Sequence, residues 1–246
     1  MPPLIRLTAA EARLFFREPL NWSLMLPVAP ILLIILGSIP AFREVRDETT
    51  GLRMIDQYTP MVVVAGLTIL ALSMLPQVFA AYREKGVLRR LRTTPVHPSR
   101  MLGAHLLLSG AFACGVTIIV LAIARIVFGV PMPENLLGYV LAFVLCALAM
   151  LSIGLLLAAL APSGTSAGAV GMILFFPLMF FAGLWIPRSA MNETLLTISD
   201  FSPLGAGVQA MQDAAAGDWP QLLHLAVMAG WAVLAGLLAA RLFRWE

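Results

Sequence analysis

Charge is what this chain has least of. Only 12% of its 246 residues are Asp, Glu, Lys or Arg, where a soluble domain carries roughly 25%. So few charges cannot clothe a soluble surface. The deficit is spread over several apolar runs, each near the ~20 residues that a bilayer crossing needs, and mean hydropathy is +0.92. Cysteine is nearly missing too. Cys114 and Cys146 both fall inside apolar runs, which excludes a disulfide scaffold and leaves buried free thiols as the plain reading. Histidine is limited to His97, His105 and His224. There is no His-Glu-x-x-His pattern and no acidic pair within a run, so metal or acid–base catalysis has little to work with. No catalytic residue and no metal ligand is assigned, which weighs against an integral-membrane enzyme. A Gly-x-x-x-x-Gly-Lys-Ser/Thr phosphate loop is also lacking, so the chain is not an ATP motor of the usual kind. Ion-coupled carriers and channels place ionisable residues mid-membrane. Here only Arg125 qualifies, and it stands near the end of its run.

What is present reads as six crossings in one domain, residues 1–246, without repeats or low-complexity tracts. Residues 1–18 are expected to lie on the membrane surface as an amphipathic helix. Arg6, Arg13 and Arg17 share one arc of the helical wheel, and Leu4, Leu7, Leu14 and Phe15 share another. Glu11 and Glu18 interrupt the apolar arc, and they suit neither a basic leader nor a cleaved signal. The crossings are expected at about 20–39, 61–81, 101–128, 136–161, 167–186 and 222–242. Pro27 and Pro30 should kink the first, and residues 40–60 should form a polar loop. Between the fifth and sixth, residues 187–220 hold two segments too short to span, 191–198 and 204–216. These read as interfacial or re-entrant half-helices.

Even numbers of crossings put Arg6, Arg13, Arg17, Arg83, Lys85, Arg89, Arg90, Arg92, Arg100, Arg241 and Arg244 on one side. Only Arg43, Arg46, Arg53 and Arg188 fall on the other. Positive charge stays inside, so both termini are expected in the cytoplasm of a multi-pass protein of the cell inner (plasma) membrane. The same rule accounts for the net charge of +3 and the pI near 9.3 without a nucleic-acid partner.

The densest charge lies between the second and third crossings, at residues 82–99. Read as a helix, this stretch puts Lys85, Arg89 and Arg92 on one face and Glu84, Leu88 and Leu91 on another. Glu84 meets only Val87 and Leu88 at i+3 and i+4, so no neighbour answers its charge. A free acid beside an apolar strip suits docking into a partner's groove. Simple enforcement of topology would need the same basic residues, and the residues alone do not choose between the two. Pro95 and Pro98 should close the helix.

The stretch from Glu84 to Val96, Glu-Lys-Gly-Val-Leu-Arg-Arg-Leu-Arg-Thr-Thr-Pro-Val, resembles the signature loop of ABC-2 type transporter permeases, the drug- and polysaccharide-export family. Phe175 to Pro187, Phe-Phe-Pro-Leu-Met-Phe-Phe-Ala-Gly-Leu-Trp-Ile-Pro, is similar to that family's fifth helix and the exit from it. Ser202 to Met211 resembles the segment leading to the last helix, with Gly205 and Gly207 where bulkier residues are more usual. The nearest likeness is to the short permeases of daunorubicin-type drug resistance. The resemblance implies an all-α integral membrane fold. It makes residues 82–99 a coupling helix contacting a separate cytoplasmic ATPase through Arg83, Glu84, Lys85, Gly86, Leu88, Arg89, Leu91 and Arg92. It makes residues 187–220 a re-entrant region at the outer mouth. Two permease copies and two ATPases would form the working unit, and ATP and Mg would bind the partner, not this chain. The aromatic group Phe175, Phe176, Phe180, Phe181 and Trp185 would line a path or form core and interfacial belt. The expected passenger is hydrophobic or amphiphilic, because the spans offer it only Thr68, Ser73, Gln77, Ser109, Thr117 and Ser152. Gly164, Gly168 and Gly171, like Gly110 and Cys114, have small-residue spacing that lets helices approach closely, within one chain or across a dimer seam.

Overall fold

In lipid a backbone must satisfy its own polar groups, so long apolar runs fold as helices. The computed structural model describes residues 26–45, 52–84, 86 and 98–242. Nine helices occupy these stretches. A short α1 (Val28–Ser38) and one turn, α2 (Pro40–Arg43), precede the long α3 (Met54–Glu84). Then come α4 (Pro98–Phe128), α5 (Leu136–Leu160), α6 (Gly164–Phe181), the short α7 (Glu193–Phe201) and α8 (Pro203–Ala215), and α9 (Leu222–Leu242). Five of them, α3, α4, α5, α6 and α9, are long and apolar enough to cross a membrane. Among the described residues there are no strands beyond a single bridge between Val45 and Arg53.

Several boundaries differ from the sequence reading. The expected first crossing shows only the 11 residues of α1, and residues 20–25 lie outside the described part. Pro27 caps that helix and Pro30 sits in its first turn, where a missing N–H costs nothing. They start the helix and do not kink it. The polar loop is shorter than expected. The one-turn α2 begins at Pro40, and α3 begins at Met54, taking Pro60 into its interior. Arg53 and Asp56 cap this early start, with the Asp56 carboxylate accepting from the Arg53 backbone N–H at 2.9 Å.

Side-chain caps define the starts of α5, α6, α7 and α8. Asn135 Oδ1 accepts from Gly138 N at 2.9 Å, Ser163 Oγ from Ser166 N at 3.2 Å, Asn192 Oδ1 from Leu195 N at 2.9 Å, and Ser202 Oγ from Gly205 N at 3.0 Å. Each satisfies a donor that the first helical turn leaves orphaned.

The core is built around α3 and α5. α5 packs along α9, and against α8 and the middle of α3. At that middle, Leu70–Met74 forms a π-turn, in which Leu75 N–H bonds the Leu70 carbonyl five residues back. The cause is Pro76. It has no N–H for Leu72 in an α register, nor for Ala71 in a π register. Those two carbonyls are the ones the neighbouring helices approach. A Cβ on Gly154 of α5 would stand 2.1 Å from the Ala71 oxygen, and one on Gly171 of α6 would stand 2.4 Å from the Leu72 oxygen. Glycine therefore lets two helices lay Cα–H groups against carbonyls the proline has released.

Candidate functional site

The described part of the charged segment 82–99 is its root. Arg83 and Glu84 are the last residues of α3, and Glu84 is exposed. Gly86 follows with φ of +65° and donates its N–H to the Arg83 carbonyl at 3.0 Å. That left-handed residue is a glycine C-cap, so the helix expected over 82–99 does not begin at Tyr82. Tyr82 to Glu84 are the end of α3, and the glycine breaks the helix after them. Lys85, Leu88, Arg89, Leu91 and Arg92 lie outside the described residues, as do Arg6, Arg13 and Arg17. Pro98 opens α4.

Arg83 does not point away from the bundle. Its guanidinium donates to the carbonyls of Ala161 at 2.6 Å, Ala158 at 3.0 Å and Ala159 at 3.4 Å, all at the closing end of α5. Behind it, His105 of α4 is buried with its ring 4.8 Å from Phe79 and 5.7 Å from Tyr82. A Cβ on Gly164 would stand 3.6 Å from the Ala80 Cβ and one on Gly171 2.4 Å from the Leu72 oxygen, so these two small residues face neighbours inside the chain, whereas a Cβ on Gly110 would meet nothing within 4 Å.

At the opposite end of the bundle, α7 and α8 form a V beside α5 and α9. Its upper arm is tied to the start of α5, because Asn135 N donates to Ala214 O at 3.0 Å and Glu134 N to Ala215 O at 3.4 Å. Its tip lies lower. Trp231 donates its indole N–H to the Phe201 carbonyl at 3.0 Å, and Trp231 stands roughly 13 Å along α9 at 1.5 Å per residue. Gly207 sits against Cys146, roughly 15 Å along α5. A Cβ on Gly207 would come within 2.6 Å of the Cys146 sulfur, and one on Gly205 within 2.2 Å of the Ser199 carbonyl. Bulk at either position would push the V out of the bundle.

A polar cluster that the sequence did not single out fastens this V. Arg188 donates to Ser199 Oγ and, at 2.5 Å, to Asp200. Ser199 donates to the Phe181 carbonyl where α6 closes, and His224 of α9 meets Asp200 at 3.3 Å. The cluster joins α6, α7 and α9. Its only trace in the sequence is that Arg188 and Asp200 are two of few charges in an otherwise apolar stretch. A second ion pair, Arg53 with Asp56 at 2.8 Å, also sends Nη1 to the Phe128 carbonyl at 2.9 Å, closing α4. Arg125 is exposed and reaches the Val130 carbonyl at 3.4 Å.

The aromatic group divides. Phe176 is 52% exposed and stacks on Trp185, which is 55% exposed, with ring centroids 6.1 Å apart. Phe175 meets Phe176 edge-on, and Phe180 meets Phe181 in the same way, all partly buried except Phe176. The side chains brought together are thus Phe175, Phe176 and Trp185 on one hand and Phe180 and Phe181 on the other. Thr68 is buried and spends its hydroxyl on the Val64 carbonyl at 2.7 Å, while Ser109, Thr117 and Ser152 are buried and Gln77 is exposed. Every charged residue of the five long helices stands within four residues of a helix end. Cys114 and Cys146 are free thiols. Among the described residues no three His, Cys, Asp or Glu side chains cluster as metal ligands.

Comparison with known proteins adds one match. A family model described as ABC-2 type transporter fits residues 3–215, which is every described helix except α9. No curated protein matches the chain.

Proposed function

The chain belongs to the ABC-2 type transporter family, and from that premise we propose that it is the permease subunit of an ATP-driven exporter. The family is one of membrane transport subunits, and membership implies a lipid bilayer and a partner ATPase. The passenger we infer is hydrophobic or amphiphilic, drug-like or lipid-like. The single observation that carries the reading is the family match over residues 3–215. The geometry agrees with it. α3 is the most buried of the five long helices, and its last turn, Tyr82 to Glu84, is the start of the charged segment. A push on that segment is a push on the core.

In this reading residues 82–99 dock the ATPase, with Glu84 and the Gly86 turn at the root of the contact. Residues 1–18 lie on the inner surface with Arg6, Arg13 and Arg17 toward headgroups. The first crossing, around residues 20–39, completes six. The V of α7 and α8 is a re-entrant hairpin whose tip stands near half of the ~30 Å hydrocarbon core. Both termini are cytoplasmic, two permease copies form the unit, and ATP with Mg binds the partner. The exposed Phe176–Trp185 stack supports a contact with lipid or passenger at the outer end of α6. The buried hydroxyls of the spans leave few polar groups for a bare sugar chain, which favours the amphiphile.

The test is flux in proteoliposomes holding the chain with its ATPase, read with a cationic rhodamine dye and a fluorescent phospholipid as probes. Flux of either should require ATP and the ATPase. Glu84→Ala and Gly86→Ala should each cut it while membrane insertion stays intact, the latter because a Cβ strains a residue at φ of +65°. Dye flux by the chain alone, driven by an ion gradient, would sink the reading in favour of a carrier.

A further inference from the structure

The end of α5 has a problem that its own sequence cannot solve. In a regular helix the Ala158 carbonyl would accept from residue 162 and the Ala159 carbonyl from residue 163. Residue 162 is Pro, without an N–H. The Ser163 N–H is turned instead to Ser166 Oγ at 3.1 Å, inside the cap of α6. Two carbonyls are left, along with that of Ala161, at the negative end of the helix dipole. The guanidinium of Arg83 fills the gap, reaching Ala161, Ala158 and Ala159 at 2.6, 3.0 and 3.4 Å. A planar fork presents fixed donors on separate nitrogens and so reaches carbonyls on successive residues, where an ammonium has its three donors on one atom.

The donor comes from the last turn of α3, three residues before the Gly86 turn. The acceptors belong to the helix that packs along α9 and against α8. We propose that Arg83 is a coupling clamp: it makes the ends of α3 and α5 move as one body, so that displacement of the docking segment reaches α5 and, through Gly207 and Asn135, the V of α7 and α8. Arg83 is thereby a positioning residue that acts inside the bundle and hands on the stroke the docking surface receives. The inference rests on the exporter reading given above.

The experiment uses the same proteoliposomes and the rhodamine dye. In Arg83→Gln, dye moved per ATP hydrolysed should fall about tenfold, the scale of one charge-assisted hydrogen bond. Hydrolysis is read alongside, because residues 82–99 also dock the ATPase and any loss of docking lowers flux and hydrolysis together without changing that ratio. Arg83→Lys keeps the charge and three donors, but on one nitrogen instead of a fork, and should fall in between. A merely structural role would lower flux and hydrolysis in proportion, and that result overturns the clamp. So does unchanged flux per ATP in Arg83→Gln.

A second measurement removes dependence on that variant folding. A Cβ on Gly164, the first residue of α6 and three past the Ala161 cap of α5, would stand 3.6 Å from the Ala80 Cβ, within the span of a disulfide, so a bond there ties the end of α3 to the turn that leaves α5. With Cys114 replaced by Ser, the pair Ala80→Cys and Gly164→Cys should oxidise and leave flux intact. The same bond should restore flux per ATP in Arg83→Gln, reversibly with dithiothreitol. Oxidation that blocks flux would show that the two ends must part, and would overturn the proposal. Absence of ATP-driven flux in the unaltered complex would instead remove the exporter reading.

Discussion

At the scale of single residues, the close approaches decide the sign of a substitution. Glycine inside a helix ordinarily costs about 1 kcal/mol relative to alanine. Gly154→Ala should behave the other way, because its Cβ would be placed 2.1 Å from a backbone oxygen with nowhere to retreat. A loss of about 1–3 kcal/mol is expected, the usual cost of overpacking. Gly171→Ala should follow it, against the Leu72 oxygen at 2.4 Å. Gly110→Ala and Gly230→Ala meet nothing within 4 Å and should cost nothing. Thermal denaturation of the four variants in detergent checks the contrast, and equal behaviour would mean that α5 and α6 do not grip the π-turn. None of this could be read from the chain alone. The spacing of Gly164, Gly168 and Gly171 announced close packing, but not which carbonyls a proline on another helix had freed.

At the scale of elements, apolar run length placed the long helices well, because in lipid a backbone has few other ways to satisfy itself. Proline accounts for part of the misplaced boundaries, because it has two uses. Proline can kink a helix or open one, and Pro27, Pro30 and Pro40 open theirs. Pro76 does neither. It shifts α3 by one residue of register through the π-turn, which holds an extra residue relative to an α-helix. Deleting Ser73 should therefore be tolerated, since Met54–Ile69 and Leu75–Glu84 keep their faces. The loss should not exceed about 3 kcal/mol, the cost of proline in a regular helix. Deleting the buried Ala65 should abolish assembly, because it turns everything after it by about 100° and carries Arg83 away from α5. Size-exclusion profiles and melting curves distinguish the two. If the Ser73 deletion fails as the Ala65 deletion does, the π-turn is not a removable insertion.

At the scale of the whole molecule, charge carries two messages that a count of Lys and Arg merges. The eleven-to-four asymmetry treats each arginine as a solvated marker of sidedness. In the structure Arg83 closes α5 and Arg53 closes α4 through the Phe128 carbonyl, so α3 is pinned at both ends by arginines that its neighbours require. The charge density of segment 82–99 was legible because it is local. The partners of Arg83 were not, being 75 to 78 residues further on. Topology should still follow the count, because the remaining basic residues of segment 82–100 outnumber any cluster on the other side. A cysteine in place of the exposed Pro162, beside the Arg83 clamp, should then react with a membrane-impermeant maleimide only in inside-out vesicles. One in place of Met132, 52% exposed in the turn at the other end, should react only in intact cells. With Cys114 changed to Ser, reversed labelling would put segment 82–99 outside the cell, where the proposed ATPase could not reach it. Labelling of both from one side would deny that α4 and α5 each cross the bilayer.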